Sequence, residues 1–193
     1  MTLSARSQRK INSIIEQASR LFVRNGYHKV TMESIAQYAN VSKVTLYKYF
    51  NDKQMLYEHI IQLNQDKAYN HLKDLVTDLI PYLDKVDQLF EYEVESYYDT
   101  NRPNLDESII LSLDCTKAIR KHKTRMRKLR QKLFHQGRME EFICDELSDK
   151  VLESYYQAIV HGWISQQKQM LSLSEEEQLQ WKNILLQAMK KCQ

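Results

Sequence analysis

The sequence contains few of the residues that interrupt helices. Its 193 residues include only 3 glycines and 2 prolines. Proteins with many strands need such residues in their turns, and loops that hold phosphate groups need glycine. Both kinds of structure are therefore disfavoured, whereas a hydrophobic content of 42% is enough to build a core. The composition predicts an all-α fold with long helices.

Cysteines and long hydrophobic runs are also scarce. Cys115, Cys144 and Cys192 lie far apart and form no CxxC pair. Because no signal peptide is evident at the N-terminus, these cysteines are expected to be reduced thiols of a cytoplasmic protein. No apolar run approaches the roughly 18 residues that a membrane span needs. We therefore expect a soluble protein that does not enter a membrane.

The usual signatures of metal, cofactor and catalytic sites are missing from the sequence. The 6 histidines show neither an HExxH motif nor the His/Cys spacing of a zinc site. The serines, histidines and aspartates form no nucleophile motif, and no glycine-rich nucleotide loop is present. We therefore predict no metal, no cofactor and no enzymatic activity.

The net charge of +3 is distributed unevenly along the chain. Residues 1–60 contain 9 Lys/Arg and 4 Asp/Glu, whereas the remainder contains 19 and 21. A basic N-terminal module on a near-neutral body indicates that the N-terminal part meets a polyanion. The alternative is a small domain whose basic excess has no partner.

Apolar residues near the N-terminus recur at the spacing of amphipathic helices. A first helix is expected to end near Gly26, in the left-handed conformation common at helix C-termini. Thr31 is expected to cap a short second helix that stops at Asn40, a residue that tolerates positive φ. Ser42 is expected to cap a third helix, and a fourth is predicted over residues 53–79.

Five more helices are predicted after Pro81, which brings the total to about nine. They cover residues 84–100, 105–115, 117–136, 148–170 and 174–191. Gly137 is expected to close the third of these five helices. The change from a basic three-helix unit to a near-neutral body predicts a domain boundary near residue 50, between residues 1–50 and 51–193.

The second and third helices have the dimensions of a helix-turn-helix. Such a pair must be short, because its second helix enters a major groove about 12 Å wide while the first packs across it. Ala36 and Ala39 are small enough for close backbone approach, and Val41 is expected to fill the turn. No carboxylate stands between Ser42 and Asn51 to repel DNA. Geometry alone also allows an ordinary helical bundle with a basic surface.

The sequence of this pair resembles the TetR family of bacterial regulators. The resemblance rests on Ala18, Leu21, Phe22, Gly26 and Tyr27 in the first segment, and then on the run Thr31-x-x-x-Ile35-Ala36-x-x-Ala39-x-Val41-Ser42-x-x-Thr45-Leu46-Tyr47-x-Tyr49-Phe50-x-x-Lys53-x-x-Leu56. It covers about residues 11–60. Farther along, only the helical layout, Gly137 and the Gly162-Trp163 pair are similar.

The resemblance implies an all-helical homodimer whose helix-turn-helix domains bind a pseudo-palindromic DNA operator. It also implies a larger ligand-binding and dimerising domain, and repression that a small molecule relieves. Residues matching phosphate-binding positions of the family are Thr31, Ser42, Tyr47, Tyr49 and Lys53. Residues matching positions that face base edges are Lys43, Val44, Thr45 and Lys48.

Two residues depart from the pattern of the family. Glycine is usual in the family where Asn40 stands, and asparagine is a substitute that keeps the backbone shape. Glycine is also frequent at the position of Val44, whose side chain either contacts a thymine methyl group or keeps the helix farther from the groove. We therefore expect an operator preference particular to this protein.

Aromatic residues of the later helices are candidates for a pocket that binds an unknown small-molecule effector. They are Tyr97, Tyr98, Tyr155 and Trp163. The alternative is that they belong to an ordinary core or interface. The stretch 117–138 contains ten Lys/Arg and no Asp/Glu, and is either a solvated helix face or a site for a carboxylate- or phosphate-bearing ligand.

The last two predicted helices carry apolar stripes too wide for one neighbouring helix to cover. Together they predict a four-helix dimer interface, two helices from each subunit. Its candidate residues are Tyr156, Ile159, Val160, Trp163, Trp181, Ile184, Leu185 and Met189. Gly162 is expected to allow close approach. A second hypothesis keeps the DNA-binding domain but has the body bind a protein partner in place of a small molecule.

Overall fold

The computed structural model describes residues 4–98, 116–166 and 172–188 of the chain. Within these ranges the secondary structure is eight α-helices without a strand, in agreement with the predicted all-α class. They are α1 (Ala5–Asn25), α2 (Met32–Tyr38), α3 (Lys43–Tyr49), α4 (Lys53–Thr77), α5 (Tyr82–Tyr98), α6 (Thr116–Met139), α7 (Asp149–Ser165) and α8 (Glu175–Gln187). The helix predicted at 105–115 lies outside the described residues, so the predicted total of nine is not matched.

The chain divides into two compact units. The head comprises Met1–Ala68 and Ser96–His122, and the body comprises Tyr69–Glu95 and Lys123–Gln193. Three helices, α4, α5 and α6, contribute residues to both units. The predicted domain boundary near residue 50 remains a prediction.

The head is organised around one apolar core. Its fully buried members include Ile14 of α1, Ile35 of α2, Leu46 of α3 and Leu56 of α4. Each of the four helices therefore contributes at least one side chain that is withdrawn from water. Burial of a side chain of this size stabilises a fold by roughly 1.5–3 kcal/mol. The core fixes the positions of the two short helices, α2 and α3, which are too short to be stable alone.

Gly26 ends α1, but not in the predicted conformation. Its φ of 77° lies in the region that favours glycine, whereas its ψ of 153° is extended and differs from the left-handed helical value. The extended turn leads into Tyr27, whose ring lies 4.8 Å from that of Tyr57 and 5.7 Å from that of Phe22. Tertiary packing of Tyr27 thus accounts for the departure from a simple helix cap.

Gly137 does not close its helix, contrary to the prediction. Helix α6 continues to Met139, and the positive φ of 61° occurs at Glu141. A Cβ atom at Gly137 would lie 2.7 Å from Cζ of Tyr82 and 2.8 Å from Cδ1 of Ile143. Gly137 is therefore needed for close packing inside the body.

The described residues contain no candidate for a membrane span or for a metal site. None of their helices is both long enough and apolar enough to cross a membrane. They also include no group of three or more His, Cys, Asp or Glu side chains arranged to hold a metal ion.

Candidate nucleic-acid interface

Helix α2 is held at both ends by local hydrogen bonds. At its start, the Ser34 backbone N–H donates to Oγ1 of Thr31 at 3.1 Å, and the Thr31 N–H donates to Oγ of Ser34 at 3.2 Å. At its end, Asn40 has a φ of 53°, as predicted for the residue that stops the helix. The N–H of Val41 then donates to the carbonyl of Ala36 at 3.0 Å. These bonds define a tight turn into α3.

Helix α3 is capped and anchored as a rigid, seven-residue element. The hydroxyl of Ser42 accepts from the Thr45 N–H at 3.1 Å and lies 2.8 Å from the Thr45 hydroxyl. Leu46 has no exposed surface, and the half-buried Val41 and Tyr49 pack against the same core. Ala36 and Ala39 are buried as well. One face of α3 is thus fixed to the head.

The opposite face of α3 is open. Val44 is 81% exposed and Tyr47 is 39% exposed. Lys43 and Lys48 are exposed, and in the described part of the chain Lys48 makes neither an ion pair nor a hydrogen bond. A rigid helix that presents two ammonium groups, a phenol and one apolar side chain has the chemistry to contact phosphates and base edges.

A carboxylate that sequence reasoning missed lies beside this open face. Glu33, in the first turn of α2, forms an ion pair with Nζ of Lys43. This contact lowers the pKa of Glu33 and raises the pKa of Lys43, chiefly through the hydrogen bond between them. The two residues are ten positions apart, so only the angle between α2 and α3 brings them together.

Lys53 lies at the first turn of α4, and its ammonium group is directed at backbone carbonyls. Nζ donates to the carbonyls of Tyr27 at 2.9 Å and Val30 at 3.0 Å, and it lies 4.3 Å from the ring centre of Tyr27. Desolvation by this packing lowers the pKa of Lys53. Lys53 therefore ties the loop between α1 and α2 to α4. Its predicted contact with phosphate remains a prediction.

The sequence around this site matches a family. Residues 14–60 match the family described as bacterial regulatory proteins, tetR family. They include the whole of α2 and α3, with the capped turn and the open face described above. This part of the chain is thus similar to the DNA-binding segment of TetR-family regulators.

Two curated proteins to which this chain is similar are regulators with opposite effects. The biofilm operon icaADBC HTH-type negative transcriptional regulator IcaR of Staphylococcus aureus (strain Newman) is 28% identical over 90 residues, which cover 41% of this chain and 48% of IcaR. The HTH-type transcriptional activator FasR of Mycolicibacterium smegmatis is 39% identical over 56 residues, which cover 29% of this chain and 26% of FasR. The match thus spans about half the length of IcaR.

Two solved structures share the fold over nearly the whole chain. A TetR-family transcriptional regulator from Haemophilus influenzae has a TM-score of 0.73 at 22% identity, with 97% of this chain and 100% of that chain covered. The ketosteroid transcriptional regulator KstR2 of Mycobacterium tuberculosis has a TM-score of 0.72 at 16% identity, with 99% and 98% covered. At these identities the likeness shows the fold alone.

The candidate effector and dimer residues of the body are only partly described. The side chains of Tyr97, Tyr98, Trp163 and Leu185, and all of Met189, lie outside the described residues. Tyr155 is half-buried, and its burial raises its pKa. These residues stay predictions, both as a pocket and as an interface.

The remaining interface candidates differ in exposure within the single chain. Tyr156 donates a hydrogen bond to Oε1 of Glu93 at 2.8 Å, and burial raises its pKa well above the usual value. Its hydroxyl is therefore used within the body. The other candidates retain accessible surface: Ile159, Val160 and Trp181 are half-buried, and Ile184 is 64% exposed.

Proposed function

We propose that this chain is a DNA-binding transcriptional regulator and not an enzyme. It acts in the cytoplasm as a homodimer on a pseudo-palindromic operator, represses transcription and is released by a small molecule. The observation that carries the DNA-binding part is the open face of α3, with Val44 81% exposed and the helix anchored through Leu46. A helix held on one side and polar on the other is the arrangement that major-groove recognition requires.

The residues of this face have distinct proposed roles. Thr31, Ser42, Tyr47, Tyr49 and Lys53 are proposed to hold phosphates. Lys43, Val44, Thr45 and Lys48 are proposed to face base edges, where lysine pairs with guanine and an apolar side chain contacts the thymine methyl group. Because Val44 projects from the recognition helix, we expect it to contribute to the choice of operator.

Homodimerisation would place two α3 helices on successive major grooves. Half-sites of helix-turn-helix dimers are about 34–36 Å apart, so the operator should be nearly palindromic with that spacing. The surface left exposed at Ile184, and partly exposed at Ile159 and Val160, supports an interface on α7 and α8. Repression is favoured because the match to the negative regulator IcaR spans 90 residues, against 56 for FasR.

Release by a ligand requires a connection between body and head. Helix α4 is one continuous helix that runs from the head into the body. Its residues belong to the head up to Ala68 and to the body from Tyr69. A ligand shifts the DNA-binding equilibrium only if it binds the released form more tightly, and a coupling of about 1–3 kcal/mol is usual. Candidate effector residues are Tyr97, Tyr98, Tyr155 and Trp163.

The deciding experiment is selection of DNA sequences by the full chain, followed by affinity measurements on the selected operator. Lys48→Ala should weaken operator binding by roughly fivefold to 100-fold and alter the base preference. Lys150→Ala is the matched control, because Lys150 is exposed on α7 and its substitution removes the same charge. Equal effects of the two substitutions, or no selected sequence at all, would refute recognition by α3.

A further inference from the structure

The body contains a cavity bordered by cationic side chains of α6. Its volume is about 370 Å³. Helix α6 supplies Lys123, Thr124, Arg127 and Arg130 to the lining, and α7 supplies Glu153 and Gln157. Because α6 has no acidic residue of its own, Glu153 is the one carboxylate among these six residues.

Glu153 is already neutralised by Arg130. The Arg130 guanidinium donates from Nε to Oε2 of Glu153 at 2.9 Å and from Nη2 to Oε1 at 2.5 Å. The Arg130 and Glu153 side chains are only 8% and 20% exposed, and the guanidinium lies 5.1 Å from the ring centre of Tyr156. A bidentate pair of this kind is rigid. Arg130 and Glu153 therefore form a fixed, neutral wall of the cavity.

Two cations of the lining are left without a counter-charge. Lys123 and Arg127 are exposed, and over the ranges that the structure describes neither is ion-paired with a carboxylate. They stand four residues apart on α6 and thus on the same face of the helix. Like charges at this spacing destabilise a helix slightly. An anion placed between them would remove that repulsion.

We propose that this cavity binds a compact organic anion with two negative charges, of the phosphate monoester or dicarboxylate class. The fork of Arg127 matches the geometry of a phosphate or carboxylate group, and Lys123 adds a point charge. Gln157 already donates to Glu153 at 3.4 Å and has a second amide N–H to offer. The volume lies at the lower end of the roughly 300–1,000 Å³ of small-molecule sites, which favours a small ligand.

Binding of the anion does not depend on the proposed function. An effect of the anion on transcription does rest on it. Of the predicted aromatic pocket, Tyr155 has a described side chain, and it is not among the lining residues of the cavity. Binding itself is therefore measurable without any knowledge of the operator.

The test is calorimetric titration of the full chain at constant ionic strength, with inorganic phosphate and succinate as separate probes and chloride as the reference. At least one probe should bind saturably to one site per chain. Tighter binding of phosphate identifies the phosphoryl class, and tighter binding of succinate identifies the dicarboxylate class. Arg127→Gln and Lys123→Gln should each weaken binding about tenfold, the loss expected for one charge-assisted hydrogen bond.

Lys128→Gln is the matched control, since Lys128 is exposed on the same helix, carries the same charge and does not line the cavity. It should leave the affinity unchanged. Absence of saturable binding by both probes, or equal weakening by Lys128→Gln and Arg127→Gln, would overturn the proposal.

DNA affinity of the same proteins separates this proposal from the proposed function. Without added anion, Arg127→Gln should bind DNA as the unsubstituted chain does. If an operator is selected but neither probe binds saturably, the anion site is refuted while DNA binding stands. If the anion binds saturably but no DNA is selected, the site stands and the regulatory function fails.

Discussion

The head and the body use ion pairs in different ways. In the head, Lys43 and Glu33 join α3 to α2 with side chains that are 57% and 58% exposed. In the body, Arg130 and Glu153 join α6 to α7 with side chains that are 8% and 20% exposed. An exposed pair contributes little to stability and exchanges readily with water or another ion. A buried pair must stay intact, because either charge alone would be desolvated without compensation.

Exposure of the ion pair determines which cations are available to a ligand. Lys43 can leave Glu33 for a phosphate or a base at small cost, whereas Arg130 cannot leave Glu153. The same distinction applies along α6, where the buried Arg130 shapes the cavity and the exposed Arg127 is free to bind within it. Burial, and not charge alone, thus separates binding cations from structural ones.

The largest effect is expected when the buried pair is broken. Glu153→Gln removes the carboxylate to which the buried Arg130 guanidinium donates, and the free energy of unfolding should fall by about 3–5 kcal/mol. Urea denaturation measures this loss. Asp149→Asn is the control, since Asp149 is 38% exposed beside Arg138 and its substitution should cost much less. If both substitutions lowered the free energy of unfolding equally, burial would not determine how much an ion pair contributes to stability.

A smaller decrease in the free energy of unfolding is expected from Gly137→Ala. The added methyl group would lie 2.7 Å from the Tyr82 ring, and overpacking of this kind costs about 1–3 kcal/mol. Gly162→Ala is the matched control within a helix, because no described atom outside its chain neighbours and the nearby backbone of its own helix lies within 4 Å of the place that its methyl carbon would take. It should leave the melting temperature of the monomeric chain unchanged or raise it. A stable Gly137→Ala protein would show that Tyr82 moves away at little cost.

Lys53→Met tests the structural lysine of the head. Loss of its bonds to the Tyr27 and Val30 carbonyls should lower the free energy of unfolding by about 1–2 kcal/mol. Lys67→Met, on the same helix and without such bonds to a loop, should have a much smaller effect. Salt dependence of DNA binding adds a second readout, because a phosphate contact by Lys53 would make the slope shallower by about one unit on substitution. Unchanged stability would contradict the loop-tying role.

The smallest expected effect concerns the exposed pair. Glu33→Gln removes a carboxylate from beside α3 and should raise DNA affinity roughly twofold to fivefold at low salt, less at high salt. Electrophoretic or fluorescence titration of the selected operator measures the change. Glu16→Gln removes a carboxylate from another exposed ion pair of the head and serves as the control. Weaker binding of Glu33→Gln would mean that Glu33 positions Lys43 for DNA.

Local signals predicted the helix-turn-helix well. Its helix ends depend on interactions within a few residues, which a sequence pattern can reveal. The side chains of Thr31 and Ser42 cap α2 and α3 by hydrogen bonds, and Asn40 ends α2 with a positive φ. The apolar residues of α1, α2 and α3 predicted which of their faces contribute to the head core. Gly26 ends α1 as predicted, but with an extended ψ. The predicted role of Gly137 as a helix end is wrong, because packing against the Tyr82 ring determines its surroundings.

By itself the sequence determined the all-α class, the turn between α2 and α3 and the polar face of α3, because each depends on neighbouring residues. Only the tertiary structure decided where the charges go. It placed Glu33 against Lys43, directed Lys53 at the carbonyls of Tyr27 and Val30, and buried Arg130 with Glu153. The partners in each case are ten or more positions apart on different elements. Their meeting depends on helix crossing angles that no local pattern specifies.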